Sequence, residues 1–132
     1  MPVSVANADD LGSAPQVSVT PDTSPASLEV RDLVVGTGTE AGTGDTVSVQ
    51  YHGVHIHDGN VFDSSWNRGG SPVSFPLGQV IPGFRDGIAG MREGGRRVLV
   101  VPPEMGYGSR GAPPAIGPDE PLVFVVDLVK VR

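Results

Sequence analysis

Six residues, Tyr51, Phe62, Phe75, Phe84, Tyr107 and Phe124, are all of the phenylalanine and tyrosine in this 132-residue chain. Each falls in or beside a segment that reads as a strand, a helix or a long loop, at positions that can converge. Rings placed so either fill a core or line a concave apolar pocket, whose chemistry is the binding and desolvation of an apolar group. Residue types alone leave both readings open.

The other candidate constellations fall short. His55 and His57 share one strand face with His52 nearby, yet no further histidine or acidic cluster accompanies them, so no metal is expected. Ser64-Ser65 lacks the glycine-flanked elbow and the matched histidine of a hydrolytic nucleophile. Gly36-Thr37-Gly38-Thr39-Glu40-Ala41 spells a dinucleotide fingerprint, but a strand follows it where the motif needs a helix N-terminus, so a surface turn is expected. The chain has no cysteine, which removes disulfides, thiol nucleophiles and thiolate metal sites.

The elements that must position the aromatics are mostly strands. Nineteen glycines and thirteen prolines make up roughly a quarter of the chain, which favours turns over long helices. Net charge is -6, the wrong sign for nucleic acid, and no apolar run approaches the roughly 18 residues that cross a membrane. Met1-Pro2-Val3-Ser4 shows neither a basic start nor an apolar stretch, so no secretory signal is visible and a cytoplasmic location is expected.

Residues 1–27 are rich in Ser, Thr, Pro, Ala and Asp and carry no Lys, Arg or aromatic residue. They are expected to form a flexible acidic tail, the alternative being a strand that docks through Val17 and Val19. From Leu28 the pattern is β. Leu28–Val35, Asp45–Ile56, Val61 onward, Val73–Leu77, Arg96–Val101 and Pro121–Val131 read as strands, with Asp58-Gly59 as a hairpin turn. Ile81, Phe84, Ile88 and Met91 fall on one face of the single helical candidate, opened by Pro82. A loop of about twenty residues, 102–120, separates the last two strands, a length that usually signals function. The expected fold is α+β: a five- or six-stranded antiparallel sheet, curled over one short α-helix.

Five short strings raise the pocket reading. Tyr51-His52-Gly53, Val61-Phe62-Asp63-Ser64-Ser65, Val80-Ile81-Pro82-Gly83-Phe84, Gly106-Tyr107-Gly108 and Leu122-Val123-Phe124-Val125-Val126-Asp127-Leu128 occur in this order. Together they resemble the FKBP-type peptidyl-prolyl cis-trans isomerases, over residues 28–132. The resemblance implies rotation about X-Pro bonds without cofactor, metal or covalent intermediate, in a monomer that assists folding and binds proline-containing chains and rapamycin- or tacrolimus-type macrolides. It implies a proline seat among Tyr51, Phe62, Val80, Ile81, Phe84 and Phe124, with Phe84 as the floor. Tyr107 would donate its hydroxyl to a substrate carbonyl and Ile81 its backbone N–H. Asp63 would accept from Tyr51 and pair with Arg68, and Ile116 would form the upper lip. Asp63, Tyr107 and Phe62 are thus the implied catalytic set. The pattern departs from the family at Phe84, usually Trp, at Val73, usually a wall aromatic, and in a shorter 77–80 connection. The alternative is a binding or chaperone module of the same fold with little turnover.

Overall fold

Strand-forming residues dominate the centre of the molecule. In this computed structural model, which describes residues 3–20 and 25–132 apart from the side chain of Arg68, two ten-residue strands form the spine of the main sheet. These are β4 (Thr46–His55) and β8 (Leu122–Val131), paired antiparallel. β7 (Arg96–Val101) lies on the far side of β8, and β3 (Glu29–Val34) pairs with β7 at that edge.

The opposite edge of β4 is divided between two short strands. β5 (Val61–Ser64) pairs with its end at His52–Val54, and β6 (Val73–Pro76) pairs with its start at Thr46–Val49. Pro76 therefore closes an edge strand, where a missing N–H does least harm. The β4–β5 turn forms at Asp58-Gly59 as expected, with Gly59 at a φ of 75° and its N–H on the His55 carbonyl. The result is six antiparallel strands in an open sheet.

One α-helix, α1 (Pro82–Ile88), packs on this sheet. It spans seven residues, shorter than the 81–91 stretch of matching periodicity, because Gly90 at a φ of 91° turns the chain away. Gly83 and Gly87 are poor helix formers, but packing requires them. A Cβ on Gly83 would lie 2.5 Å from Val101 Cγ1, and one on Gly87 would lie 2.7 Å from Leu99 Cδ2. The helix thus rests directly on β7. Phe84, Ile88 and Met91 are buried with Val47, Val49, Leu99, Val126 and Leu128 in the core between helix and sheet.

The other face of the sheet is apolar too. Val54, Val98, Val100, Val123 and Val125 form a second buried cluster, and here residues 3–20 follow the docked-strand alternative rather than the flexible tail. β1 (Val3–Val5) and β2 (Val17–Val19) pair as an antiparallel hairpin, and Val3, Val5, Val17 and Val19 cover that cluster. The 3–20 segment is not a loose tail, because four valines at strand spacing meet an apolar face that would otherwise be wet. Polar contacts add to this: Arg31 Nη2 donates to the Val3 carbonyl, and Arg96 donates to the carbonyls of Asn7 and Ser13.

The glycine-rich 36–41 segment is a turn with no helix after it. It folds against the chain at 91–95, with Gly38 N–H on Glu93 O and Ala41 N–H on Met91 O. Among the described residues, no helix is long and apolar enough to cross a membrane.

Candidate active site

A cavity of about 370 Å³ opens on the helix side of the sheet, lined by Tyr51, Phe62, Asp63, Val73, Phe75, Gln79, Val80, Ile81, Phe84, Tyr107 and Phe124. Period two on the strands sets much of this lining. Tyr51 and Gly53 project to the same face of β4, and Phe124 comes up beside Gly53 on β8. Gly53 is required here: a Cβ would stand 2.6 Å from Phe62 Cζ and 3.1 Å from Phe124 Cε1. Without it, both rings come close to the strand backbone.

Phe84 is the floor. Its ring meets Tyr51 edge-on at 6.1 Å, Phe124 at 4.9 Å and Phe75 at 5.4 Å between centroids, and only 7% of the residue is exposed. Phe62 stands on Phe124 in a T-shaped contact at 5.5 Å and forms the wall. The Tyr51–Phe84, Phe84–Phe124 and Phe62–Phe124 contacts are the edge-to-face geometries that aromatic quadrupoles favour, and Phe75 meets Phe84 at a tilt.

Polar groups stand at the rim. The Tyr51 hydroxyl donates to Asp63 Oδ2 at 2.7 Å, fixing the tyrosine wall. The expected partner of Asp63, the Arg68 side chain, lies outside the described residues. Tyr107 is 39% exposed and lines the opening, where burial of its ring side and the nearby Asp63 charge raise its hydroxyl pKa above the usual value. The hydroxyl therefore keeps its proton and is a donor. Ile81 precedes α1 with extended ψ of 149°, and Val80 follows the 3₁₀ turn Leu77–Gln79.

Eight of the ten residues assigned to the site from the sequence thus meet around one cavity: Tyr51, Phe62, Asp63, Val80, Ile81, Phe84, Tyr107 and Phe124. Ile116 does not line it. That side chain is 4% exposed and packed in the core beneath the loop, its N–H and C=O both bonded to Ala112. An isoleucine beside an apolar core gains more by burial than by standing at a wet rim. Phe75 and Gln79 are lining residues that the site assignment missed. Val73 and Phe75 share a face of β6, which their alternation already implies, whereas nothing in the sequence marks Gln79.

The strand face behind the pocket is polar and fully satisfied. His52 Nδ1 meets Ser64 Oγ at 2.8 Å, Ser65 Oγ donates to Gln50 Oε1, and Ser48 bonds Ser74. Among the described residues no nucleophile–base pair lines the cavity, and the arrangement suits binding and desolvation. Trp66 sits half-buried in the 3₁₀ turn Trp66–Arg68 and does not line the cavity.

Comparison with known proteins agrees with this geometry. The sequence model of the FKBP-type peptidyl-prolyl cis-trans isomerases matches residues 38–129. The chain is 48% identical to an FK506-binding protein of Streptomyces anulatus, covering 89% of this chain and 96% of that one. It is 43% identical to a probable FK506-binding protein of Corynebacterium glutamicum, covering 87% and 96%. Among solved structures, FkpA of Escherichia coli superposes with a TM-score of 0.75 at 43% identity, over 80% of this chain and 48% of that one. AtFKBP13 superposes with a TM-score of 0.73 at 38% identity, over 83% and 96%.

Proposed function

The chain belongs to the FKBP-type peptidyl-prolyl cis-trans isomerase family, and on that premise we propose that the aromatic cavity seats the proline ring of a flexible peptide and turns the preceding bond. Rotation about an X-Pro bond crosses a barrier of about 18–20 kcal/mol and takes tens of seconds unaided. Catalysis requires the site to bind the twisted amide better than the planar one.

The observation that carries the reading is the Phe84-centred ring cluster with polar groups only at its rim. A twisted amide has lost conjugation and is less dipolar, so it tolerates a dry aromatic seat better than the planar form does. Tyr107 would hold a substrate carbonyl by its hydroxyl, and the Ile81 backbone N–H would hold a second. Asp63 keeps Tyr51 in place and transfers no proton.

Extending the reading, the protein acts as a cytoplasmic monomer that speeds proline-limited folding, and it takes macrolides of the rapamycin or tacrolimus type in the same cavity. The relatives named FK506-binding proteins support the macrolide assignment. The decisive assay follows cis-to-trans relaxation of short X-Pro peptides with micromolar protein. Acceleration abolished by rapamycin is the expected result, and a rate equal to the uncatalysed one would shift the function to an adaptor or holdase.

A further inference from the structure

We propose that His55, His57 and Glu120 form a binding site for a divalent transition cation of the zinc class, clipping the long loop to the β4–β5 hairpin. The three side chains come from separate segments: the end of β4, the turn after it, and the residue pair before β8. Their ligand atoms all lie within 4.8 Å of one another. The carboxylate that the local sequence does not supply to these histidines arrives from 65 residues away.

Two imidazole rings, those of His55 and His57, converge on the Glu120 carboxylate. His57 Nδ1 lies 3.4 Å from Asp58 Oδ2, and its Nε2 lies 3.2 Å from Glu120 Oε1. His55 Nδ1 is directed at the same oxygen. A neutral imidazole carries one N–H and one lone pair, so with the protons on the outer nitrogens each ring would offer a lone pair to an ion beside the Glu120 carboxylate. The outer partners are also in place: Asp58 orients His57, and Gly117 N–H holds Glu120 Oε2 at 2.7 Å, leaving Oε1 free to ligate.

Two imidazoles with one carboxylate suit zinc and its neighbours, and disfavour calcium or magnesium, which need oxygen sets. His57 is 58% exposed, so solvent can reach the ion and complete its coordination. The clip would be felt at the cavity. His55 packs at a tilt against the Phe62 wall, 5.2 Å between ring centroids, and Asp119 N–H bonds the carbonyl of Gly108, next to Tyr107.

The test is calorimetric titration of the full chain with zinc chloride, with magnesium chloride as comparison. The expected result is one zinc per chain, no magnesium heat, and binding weakened at least about tenfold in both His57→Ala and Glu120→Gln, a loss that even an outer partner's removal can produce. Zinc at a hundredfold excess over its Kd should raise the wild-type Tm by roughly 5–10 degrees, and the Tm of the variants much less. In EDTA, His57→Ala should melt like wild type and retain its isomerase rate, which separates lost ligation from lost folding. Saturable zinc binding that survives both substitutions, or no binding by the wild-type chain, overturns the proposal.

Discussion

Arg96 and Asp127 face each other across β7 and β8, with Arg96 Nε 2.6 Å from one carboxylate oxygen and Nη2 2.8 Å from the other. Arg96 has no exposed surface, and two more of its N–H groups end on the carbonyls of Asn7 and Ser13. The N-terminal hairpin therefore completes a buried ion pair as well as an apolar face. Burial pushes the Asp127 carboxyl above its usual range, and Arg96 works against that shift.

Deleting residues 1–20 should destabilise the protein by about 2–4 kcal/mol, since it wets the Val54, Val98 and Val123 face and opens the ion pair. Isomerase activity at a temperature where the truncated chain is still folded should be unchanged, because the cavity lies on the other face of the sheet. Calorimetry of the truncated chain is the check. An unaltered Tm would mean that the hairpin contributes nothing to stability.

Phe62→Ala and Tyr107→Phe should separate wall from donor. Phe62 is only partly buried, so its truncation should cost about 2 kcal/mol of stability, below the range for a full core phenylalanine, and should abolish most ligand binding. Tyr107→Phe should weaken binding by about 0.5–1.5 kcal/mol and leave the fold intact. Denaturation of the second variant decides the matter: if it unfolds, the hydroxyl is structural.

Stability should fall as pH drops below about 6.5, in part through His52. Burial first, and then the nearby Arg96 charge, hold the His52 pKa below the usual imidazole value. The unfolded chain thus binds a proton at a pH where the folded one does not. The contribution is complete above the unfolded pKa and is lost as pH falls toward the folded one. His55, His57 and Asp127 are common to both proteins in a comparison with His52→Gln, so the difference isolates one group. Urea titrations between pH 7 and pH 5 should show a flatter slope for the variant, and equal slopes would remove His52 from the account.

Trp66 fluorescence should respond weakly to proline peptides, because the indole is half-buried and does not line the cavity. Phe84→Trp should give a strong response, placing an indole under the bound ring. A steep change from Trp66 in the unsubstituted protein would show that the 66–72 segment closes over the ligand.

What the sequence made legible was local or periodic. Asp58-Gly59 marked its hairpin because the turn demands a positive φ there, and Ile81, Phe84, Ile88 and Met91 marked the helix face because one helical side must be dry. The pocket aromatics were legible through period two and through the family resemblance. The docked hairpin was legible only as the alternative, through Val17 and Val19, because a polar, aromatic-free composition outweighs a few valines at strand spacing. Yet Val98-Leu99-Val100-Val101 and Leu122–Val126 do not alternate, and such runs in an antiparallel sheet require cover on both faces. Ile116 is buried in the core because a long loop can fold its own apolar residue inward, which position in a loop does not reveal. Glu120 beside the histidines depends on a contact 65 residues long, which no local pattern encodes.

The closeness of α1 to β7 has a bearing on ligand size. Gly83 and Gly87 touch no ligand, but they set the height at which Phe84 stands between the sheet and the cavity mouth. Each acts as a spacer of zero thickness. A methyl at either position must lift the helix or displace Val101 or Leu99, and any lift brings the floor toward the opening. The depth available to a proline ring, and so the bulk that can follow it, is written in two residues that no inspection of the cavity walls would single out.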